Sequence, residues 1–401
     1  MAGGEQGAMP VKHGTRLVRD YNQKMIYNLI HAHGRISRTD LTRITKMSPA
    51  SVSKMVSALL EEGLIFERSA MDVGLGRKPM LLSINPEGIL VIGINVDVRR
   101  IAAGLVAADG RVLIYEEVPN NANCRVEDIS QTLAWLTQRI KIQMSPEQQL
   151  ALIGAGVSIP GVVSYPEGKT FFSPQFRWKN YLLRPALEEA MEMRVLVDNN
   201  VKAVAVQEQI FGMGRNVKDY VVVQIGSGVG GAVVTSGKLY RGENNMTGEF
   251  GHMQVCADGP ICDCGRRGCL QAYTCISGIE ERAGKPIAQV FRDAPVDEKC
   301  SRVLKDAEDY LCMWLANLKN LYNPSLLILY GELLEIWPEL MDTIRARVSR
   351  KQWLADDDRF TIAYARMNER RMSVISSAAI LLAESIQSGI VIHETVIDNA
   401  L

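Results

Sequence analysis

Nowhere in its 401 residues does this chain hold an uninterrupted apolar run of the roughly 18 residues a bilayer-spanning helix needs, so no membrane segment is expected. The opening residues, Met1-Ala-Gly-Gly-Glu-Gln-Gly-Ala-Met-Pro10, contain no apolar stretch of the kind an export signal carries. Without export the eight cysteines stay reduced, which argues against a disulfide framework and in favour of metal binding. The expected location is the cytoplasm. Net charge is absent as well, with 45 Lys and Arg against 45 Asp and Glu. That zero conceals an asymmetry, because residues 1–85 hold 12 basic and 7 acidic side chains. A basic head on an acidic body points to an anionic partner for the head. At 47% hydrophobic and 22% charged, the chain is long enough for two or three domains with a large core.

Three of the cysteines are concentrated in one place. His252 is followed after nine residues by Cys262-Asp-Cys264-Gly-Arg-Arg-Gly-Cys269. Three thiols and one imidazole complete the tetrahedron of a closed Zn²⁺ site, which builds a loop and leaves no position for a reactive water. Gly265 and Gly268 allow the positive φ angles that so tight a wrap requires. His252, Cys262, Cys264 and Cys269 are therefore the expected ligands of a structural zinc, within a loop spanning 252–269. Cys124, Cys300 and Cys312 have no metal spacing and read as ordinary thiols.

The head, residues 1–85, has the pattern of a winged helix. Met25, Ile26, Leu29 and Ile30 lie at helical spacing over 22–33, and Gly34 stops that helix. Ser37-Arg-Thr-Asp40 opens a second helix in the manner of a capping box. Ser48-Pro49 opens a third, which buries Val52, Met55, Val56, Leu59 and Leu60. Its other face carries Ser51, Ser53, Lys54 and Ser57, groups that approach phosphates and base edges without steric cost. Two strands follow, joined by a basic tip at Arg77-Lys78 suited to probing a minor groove. Ser48, Ser51, Ser53, Lys54, Arg77 and Lys78 are the expected contacts to a double-stranded DNA operator.

From residue 86 to 401 strands and helices alternate. Strands are expected at 89–96, 101–108 and 112–118, with Asp109-Gly110 as a hairpin turn, then a helix near 126–143 and a strand at 150–159. A second block opens at Tyr220, turns through Ser227-Gly-Val-Gly-Gly231, and includes a buried strand at 325–331. This duplication predicts an α/β body of two ribonuclease-H-like, actin-like lobes around a cleft. Trp135 and Trp178 are both expected in the core, and residues 369–384 form an amphipathic helix rich in small side chains.

Cys262-x-Cys264-Gly-x-x-Gly-Cys269-Leu270, Glu249-x-Gly251-His252, Ser158-Ile-Pro-Gly161, Trp178 and Ser227–Gly231 together give a specific resemblance. The chain is similar to the ROK family (repressors, open reading frames and kinases), and over residues 15–400 it resembles the branch with an N-terminal winged helix. The resemblance implies a sugar-kinase-like body and a second phosphate-binding turn at 227–231. It also implies that the C-terminal helix packs back on the first lobe, near the head. Kinase members need an Asp-x-Gly-Gly-Thr loop; here Asn95-Val-Asp97-Val-Arg99 stands in its place. They need an Asp as general base in an Asn-Asp pair; the matching pair here is Asn199-Asn200, and an amide has no basic site. They need a Glu after Cys-Leu; here it is Gln271. Asp198, one residue earlier, faces the wrong way to act as the base.

The reading that follows is a regulator without kinase activity, a repressor of carbohydrate genes that acts as a homodimer or homotetramer. Asn199, Asn200, Glu249, His252 and Gln271 would line a pocket for a sugar or sugar-derivative effector. With two carboxylates replaced by amides, that pocket would suit an uncharged polyol or a phosphorylated sugar. Two alternatives stand beside it: residual ATP-dependent phosphotransfer to a sugar, and a body that docks a protein instead of a small molecule.

Overall fold

The structure is a computed structural model that describes residues 13–69, 80–120, 124–350, 360–365 and 371–388. The head comprises α1 (His13–His33), β1 (Ile36–Ser37), α2 (Arg38–Thr45), α3 (Pro49–Glu61), β2 (Ile65–Ser69) and β3 (Met80–Ile84). Helix α1 starts at His13, nine residues before the expected point. Ser37 caps α2 by accepting the Asp40 N–H at 3.1 Å, and Ser48 caps α3 by accepting the Ser51 N–H at 3.2 Å. The three strands form a sheet in the order β1-β3-β2, so a short pairing at Ile36 anchors the wing to the helices. Arg77 and Lys78, the expected wing tip, lie outside the described residues.

The first lobe contains β4 (Leu90–Val96), β5 (Arg100–Ala107), β6 (Val112–Pro119), α4 (Val126–Gln143), α5 (Pro146–Ala151) and β7 (Leu152–Ile159). It continues through β8 (Val162–Val163), β9 (Lys169–Ser173), β10 (Trp178–Leu182), α6 (Leu183–Met191), β11 (Val195–Asn199) and α7 (Asn200–Ile210). Its sheet runs β11-β7-β4-β5-β6, with β8 to β10 forming a small sheet of their own. The Asp109-Gly110 turn joins the second strand to the third.

The second lobe contains β12 (Tyr220–Ile225), β13 (Val229–Thr235), β14 (Lys238–Tyr240), α8 (Gln271–Thr274), α9 (Ile276–Ala283), α10 (Ile287–Asp293) and α11 (Glu298–Tyr322). It ends with β15 (Leu326–Tyr330), α12 (Glu332–Ile336), α13 (Glu339–Arg350) and β16 (Thr361–Tyr364), after which comes the last described helix, α14 (Met372–Ser388). Its sheet, β14-β13-β12-β15-β16, repeats the five-stranded plan of the first. The two-lobed α/β body on a winged helix agrees with the sequence expectation.

Although it comes last in the chain, α14 crosses back to the first lobe. It lies so close to the sheet that a Cβ on Gly93 would fall 1.9 Å from the Val374 carbonyl oxygen, and one on Gly156 would fall 2.0 Å from that of Ser377. Only glycine permits that approach. The Ser158 and Ser377 hydroxyls meet at 2.8 Å, and Ser376 donates to the Gln207 side chain at 2.5 Å, so the helix is registered as well as packed. One buried apolar cluster then runs without a break from Ile26, Leu41 and Val56 in the head, through Ile89 and Val106, to Ala203, Val206, Val374 and Ala378. The head is thus fused to lobe one by shared core.

Trp178 is buried as expected, stacked on Phe176 at 4.7 Å, with its indole N–H donated to the Cys124 carbonyl. Trp135 is not a core residue. It is 49% exposed on the outer face of α4, where the Arg139 guanidinium covers its ring at 5.0 Å. A cation over the ring face offsets part of the cost of leaving an indole in water.

Candidate functional site

The four expected metal ligands converge. Their donor atoms all lie within 4.8 Å of one another, with Cys262 Sγ 3.6 Å from His252 Nδ1 and Cys264 Sγ 3.7 Å from Cys269 Sγ. A tetrahedral ion with metal–sulfur bonds of about 2.3 Å separates its ligands by about 3.8 Å, so the residues present fit zinc. The loop is prepared by its backbone. Gly265 (φ +83) and Gly268 (φ +69) take left-handed conformations, and a Cβ on Gly268 would fall 1.6 Å from the Cys256 carbonyl oxygen. Nδ1 is the His252 ring nitrogen beside the Cys262 thiol, so an ion bound there would leave Nε2 uncoordinated. Without an ion, burial pushes the Cys262 thiol up to about 12. A bound Zn²⁺ would hold all three sulfurs as thiolates and tie the loop closed.

The five residues expected to line the cleft divide into two groups. Asn199 is spent on the fold. Its Oδ1 caps α7 by accepting from Val201 N (2.8 Å) and Lys202 N (3.2 Å), and its Nδ2 donates to the Gly161 carbonyl at 2.8 Å. Gln271, the first residue of α8, accepts the Val229 N–H at 3.3 Å and so occupies one backbone donor of the glycine-rich turn. Asn200, Glu249 and His252 retain capacity for a ligand. The Asn200 side chain and the Glu249 carboxylate have no hydrogen-bond partner among the described residues. Glu249 is exposed to solvent. Desolvation pushes its carboxyl up, against the opposing pull of His252 and Lys202.

Asp198 is fully buried and bound by the Arg241 guanidinium at 2.6 and 3.2 Å. The same guanidinium lies 4.0 Å from the Tyr165 ring centre. A buried carboxylate held by a two-pronged ion pair is unavailable as a base for a cleft ligand. Two charged residues in this region escaped the sequence reading. Arg241 had no local signal. Lys202 had one, as the lone charge in Val201-Lys-Ala-Val-Ala-Val206. It is 4% exposed and donates to the Asn245 carbonyl. At the other rim of the cleft, Arg99 of the first lobe meets Glu332 of the second at 3.4 Å, where a phosphate-binding loop would need glycines.

On and before α3, Ser48, Ser53 and Lys54 are exposed and Ser51 is half-buried. The Ser48 and Ser51 hydroxyls bond each other at 2.9 Å while Ser48 caps the helix, so these two serve α3 itself. Ser53, Lys54 and Ser57 remain open. Sequence reasoning passed over Lys46, exposed in the left-handed turn between α2 and α3 (φ 59).

A winged helix–turn–helix fused by shared core to two actin-like lobes, with a Cys₃His loop beside the cleft, defines a DNA-binding regulator related in fold to sugar kinases. Residues 19–65 match the winged helix-turn-helix DNA-binding family, and residues 91–383 match the ROK family. The chain belongs to the ROK family. It is 29% identical over 342 residues to the xylose repressor of Bacillus subtilis (strain 168), covering 83% of this chain and 88% of that protein. It is 27% identical over 396 residues to the DNA-binding transcriptional dual regulator NagC of Escherichia coli (strain K12), covering 94% and 96%. A ROK family transcriptional regulator described as a homologue of the E. coli MLC protein superposes with TM-score 0.76 at 23% identity, over 93% of this chain and 100% of that one. A ROK family glucokinase from Streptomyces griseus, solved with glucose and AMPPNP, covers 73% of this chain and 98% of its own with TM-score 0.60 at 23% identity. No helix among the described residues is long and apolar enough to cross a membrane.

Proposed function

We propose that this protein is a transcriptional repressor of carbohydrate genes, controlled by a sugar or sugar derivative bound in the cleft between its lobes. The observation that carries this reading is the state of the would-be base. Asn200 opens α7 with an amide, and the neighbouring Asp198 is locked to Arg241. What remains supports binding without turnover, because Asn200, Glu249 and His252 Nε2 offer hydrogen-bonding groups suited to hydroxyls. Reading a pseudo-palindromic operator requires two copies of α3 one or more helical turns apart, so the working unit is a dimer or tetramer. A structural zinc in the 252–269 loop would fix His252, and through it one wall of the pocket. The name of the xylose repressor favours the repressor role, and that of the dual regulator NagC favours DNA-binding regulation more broadly.

Coupling between cleft and head has a physical route. Helix α7 begins at Asn200 in the cleft. Just past its end, Arg215 donates to the His31 and Ala32 carbonyls at 2.7 and 3.3 Å, on the last turn of α1. An effector that shifts the lobes would therefore move the head through α7, provided it binds the two states with different affinity. The test is a mobility-shift titration of the full chain on the DNA flanking its own gene, with and without a sugar panel, beside an ATP and Mg²⁺ turnover assay on the same panel. Sugar-dependent release without turnover is expected. Phosphorylated product that disappears in Asn200→Ala would sink the regulator-only reading, and operator release by a protein alone would favour the docking alternative.

A further inference from the structure

Two ion pairs join the lobes, and they differ in burial and in geometry. The first ties Arg241, which follows β14, to Asp198 near the end of β11. The Asp198 side chain is 0% exposed, and both of its oxygens accept from the guanidinium. The second ties Arg99, in the turn between β4 and β5, to Glu332, the first residue of α12. It is a single contact of 3.4 Å between side chains that are 74% and 44% exposed. A buried two-pronged pair persists, because breaking it strands a charge away from water. A solvated single contact is weak, screened by salt and easily exchanged for water.

Arg99 and Glu332 are nevertheless mounted on stiff supports. In the β4–β5 turn the Asp97 N–H donates to the Arg100 carbonyl at 3.0 Å, and the Asp97 carboxylate accepts the Arg99 N–H at 3.1 Å. Asn120 ties the same turn from the end of β6. Its backbone N–H donates to the Arg99 carbonyl at 2.9 Å and its side-chain amide to the Asp97 carbonyl at 2.7 Å. Glu332 follows Gly331 (φ +126), where a Cβ would fall 2.3 Å from the Ile225 carbonyl oxygen. It is thereby held at the end of β15, which pairs with β12. One backbone is fixed to the sheet of the first lobe and the other to the sheet of the second. The separation of the two charges therefore follows the angle between the lobes, and two side chains alone span the gap.

We infer that Arg99 and Glu332 form an exchangeable latch across the rim of the cleft, biasing the resting lobes toward closure while Asp198–Arg241 stays made. The buried pair marks the joint and the exposed pair the edge that parts. Neither Arg99 nor Glu332 has another ion-pair partner among the described residues, so opening the latch leaves both charges to water. Its weakness suits the task, because a small bias can be overcome by a ligand with a modest difference in affinity for the two states. The latch does not depend on which ligand the cleft takes. Its effect on DNA affinity rests on the α7 route to the head, and so on the reading of the protein as an effector-controlled regulator.

The experiment measures hydrogen–deuterium exchange in the full chain without added sugar, comparing the unsubstituted protein with Arg99→Glu, Glu332→Arg and the double reversal. Each single reversal should speed exchange in the 97–100 turn and in α12 by about two- to fivefold, the scale of an exposed ion pair. The double reversal should return it to the unsubstituted level, a rescue that lost packing would not give. Exchange in β11 should be the same in all four. Salt supplies a test of sign. Raising it from about 0.05 to about 0.5 M should speed exchange at these segments in the unsubstituted chain and slow it in the single reversals, where like charges then repel less. Arg99→Gln, which removes the charge without adding repulsion, should shift exchange in the same direction by less, and it serves if a reversal disturbs folding. Equal exchange in all the variants, or no recovery in the double reversal, would overturn the latch. Either result leaves the sugar-effector reading standing, because that reading is judged by sugar-dependent release from DNA.

Discussion

Substitution tests whether individual side chains play the parts their surroundings suggest. Asp198 stands one residue from the base position, and its chemistry is decided by Arg241, which lies 43 positions along the chain. Asp198→Ala should destabilise the fold by about 3–5 kcal/mol, the range for orphaning one member of a buried ion pair, as read by urea denaturation. A loss below about 1 kcal/mol would mean the pair is solvated and weak. The zinc ligands make a separate prediction. The purified chain should carry about one Zn²⁺ per protomer by elemental analysis, and Cys262→Ser should lose the metal and melt at lower temperature. Metal content unchanged in Cys262→Ser would exclude it as a ligand. Trp135 illustrates the limit of residue type as a guide. Tryptophan is usually buried, but its position on α4 turns it outward, and Arg139 one turn later makes that tolerable.

For the secondary-structure elements, the question is which groups a helix uses for itself and which it offers. On α3 the cap absorbs Ser48 and Ser51, while Ser53, Lys54 and Ser57 face outward. Ser48→Ala should therefore cost the fold about 0.5–2 kcal/mol, as a lost N-cap does. Lys54→Ala should leave stability unchanged, weaken operator binding and reduce the magnitude of the salt slope by about one. Equal effects of the two changes on DNA affinity and none on melting would contradict this division. These helix boundaries were legible because Ser37, Ser48-Pro49 and Gly34 are local signals that act within one turn. The early start of α1 and the small β8–β10 sheet were less so, since weak periodicity and short strands give little local bias.

Across the whole molecule, chain order and spatial order diverge. The last described helix, α14, lies against β4 and β7, and together with α7 it links the first lobe to the head. Arg215 adds a polar tie to the end of α1, a favourable place for a cation beside unpaired carbonyls. Arg215→Ala should accelerate hydrogen–deuterium exchange in the last turn of α1, leave exchange in β4 and β7 unchanged, and blunt any effector-dependent change in DNA affinity. Unaltered exchange in α1 would show that the shared core alone holds the head.

The sequence by itself determined the Cys₃His loop, the capped helix α3, the two-lobed α/β body and the amide at position 200. Each depends on residues close together in the chain or on a periodic pattern, where local geometry dictates the outcome. Only the tertiary structure decided that Asn199 caps α7, that Gln271 accepts the Val229 N–H, that Asp198 is bound by Arg241, that Trp135 faces outward, and that Lys202 is buried against the Asn245 carbonyl. Those outcomes depend on partners tens of residues distant, such as Arg241, Gly161, Val229 and Asn245. Whether a polar group is spent or free is settled by what folding brings within about 3 Å of it.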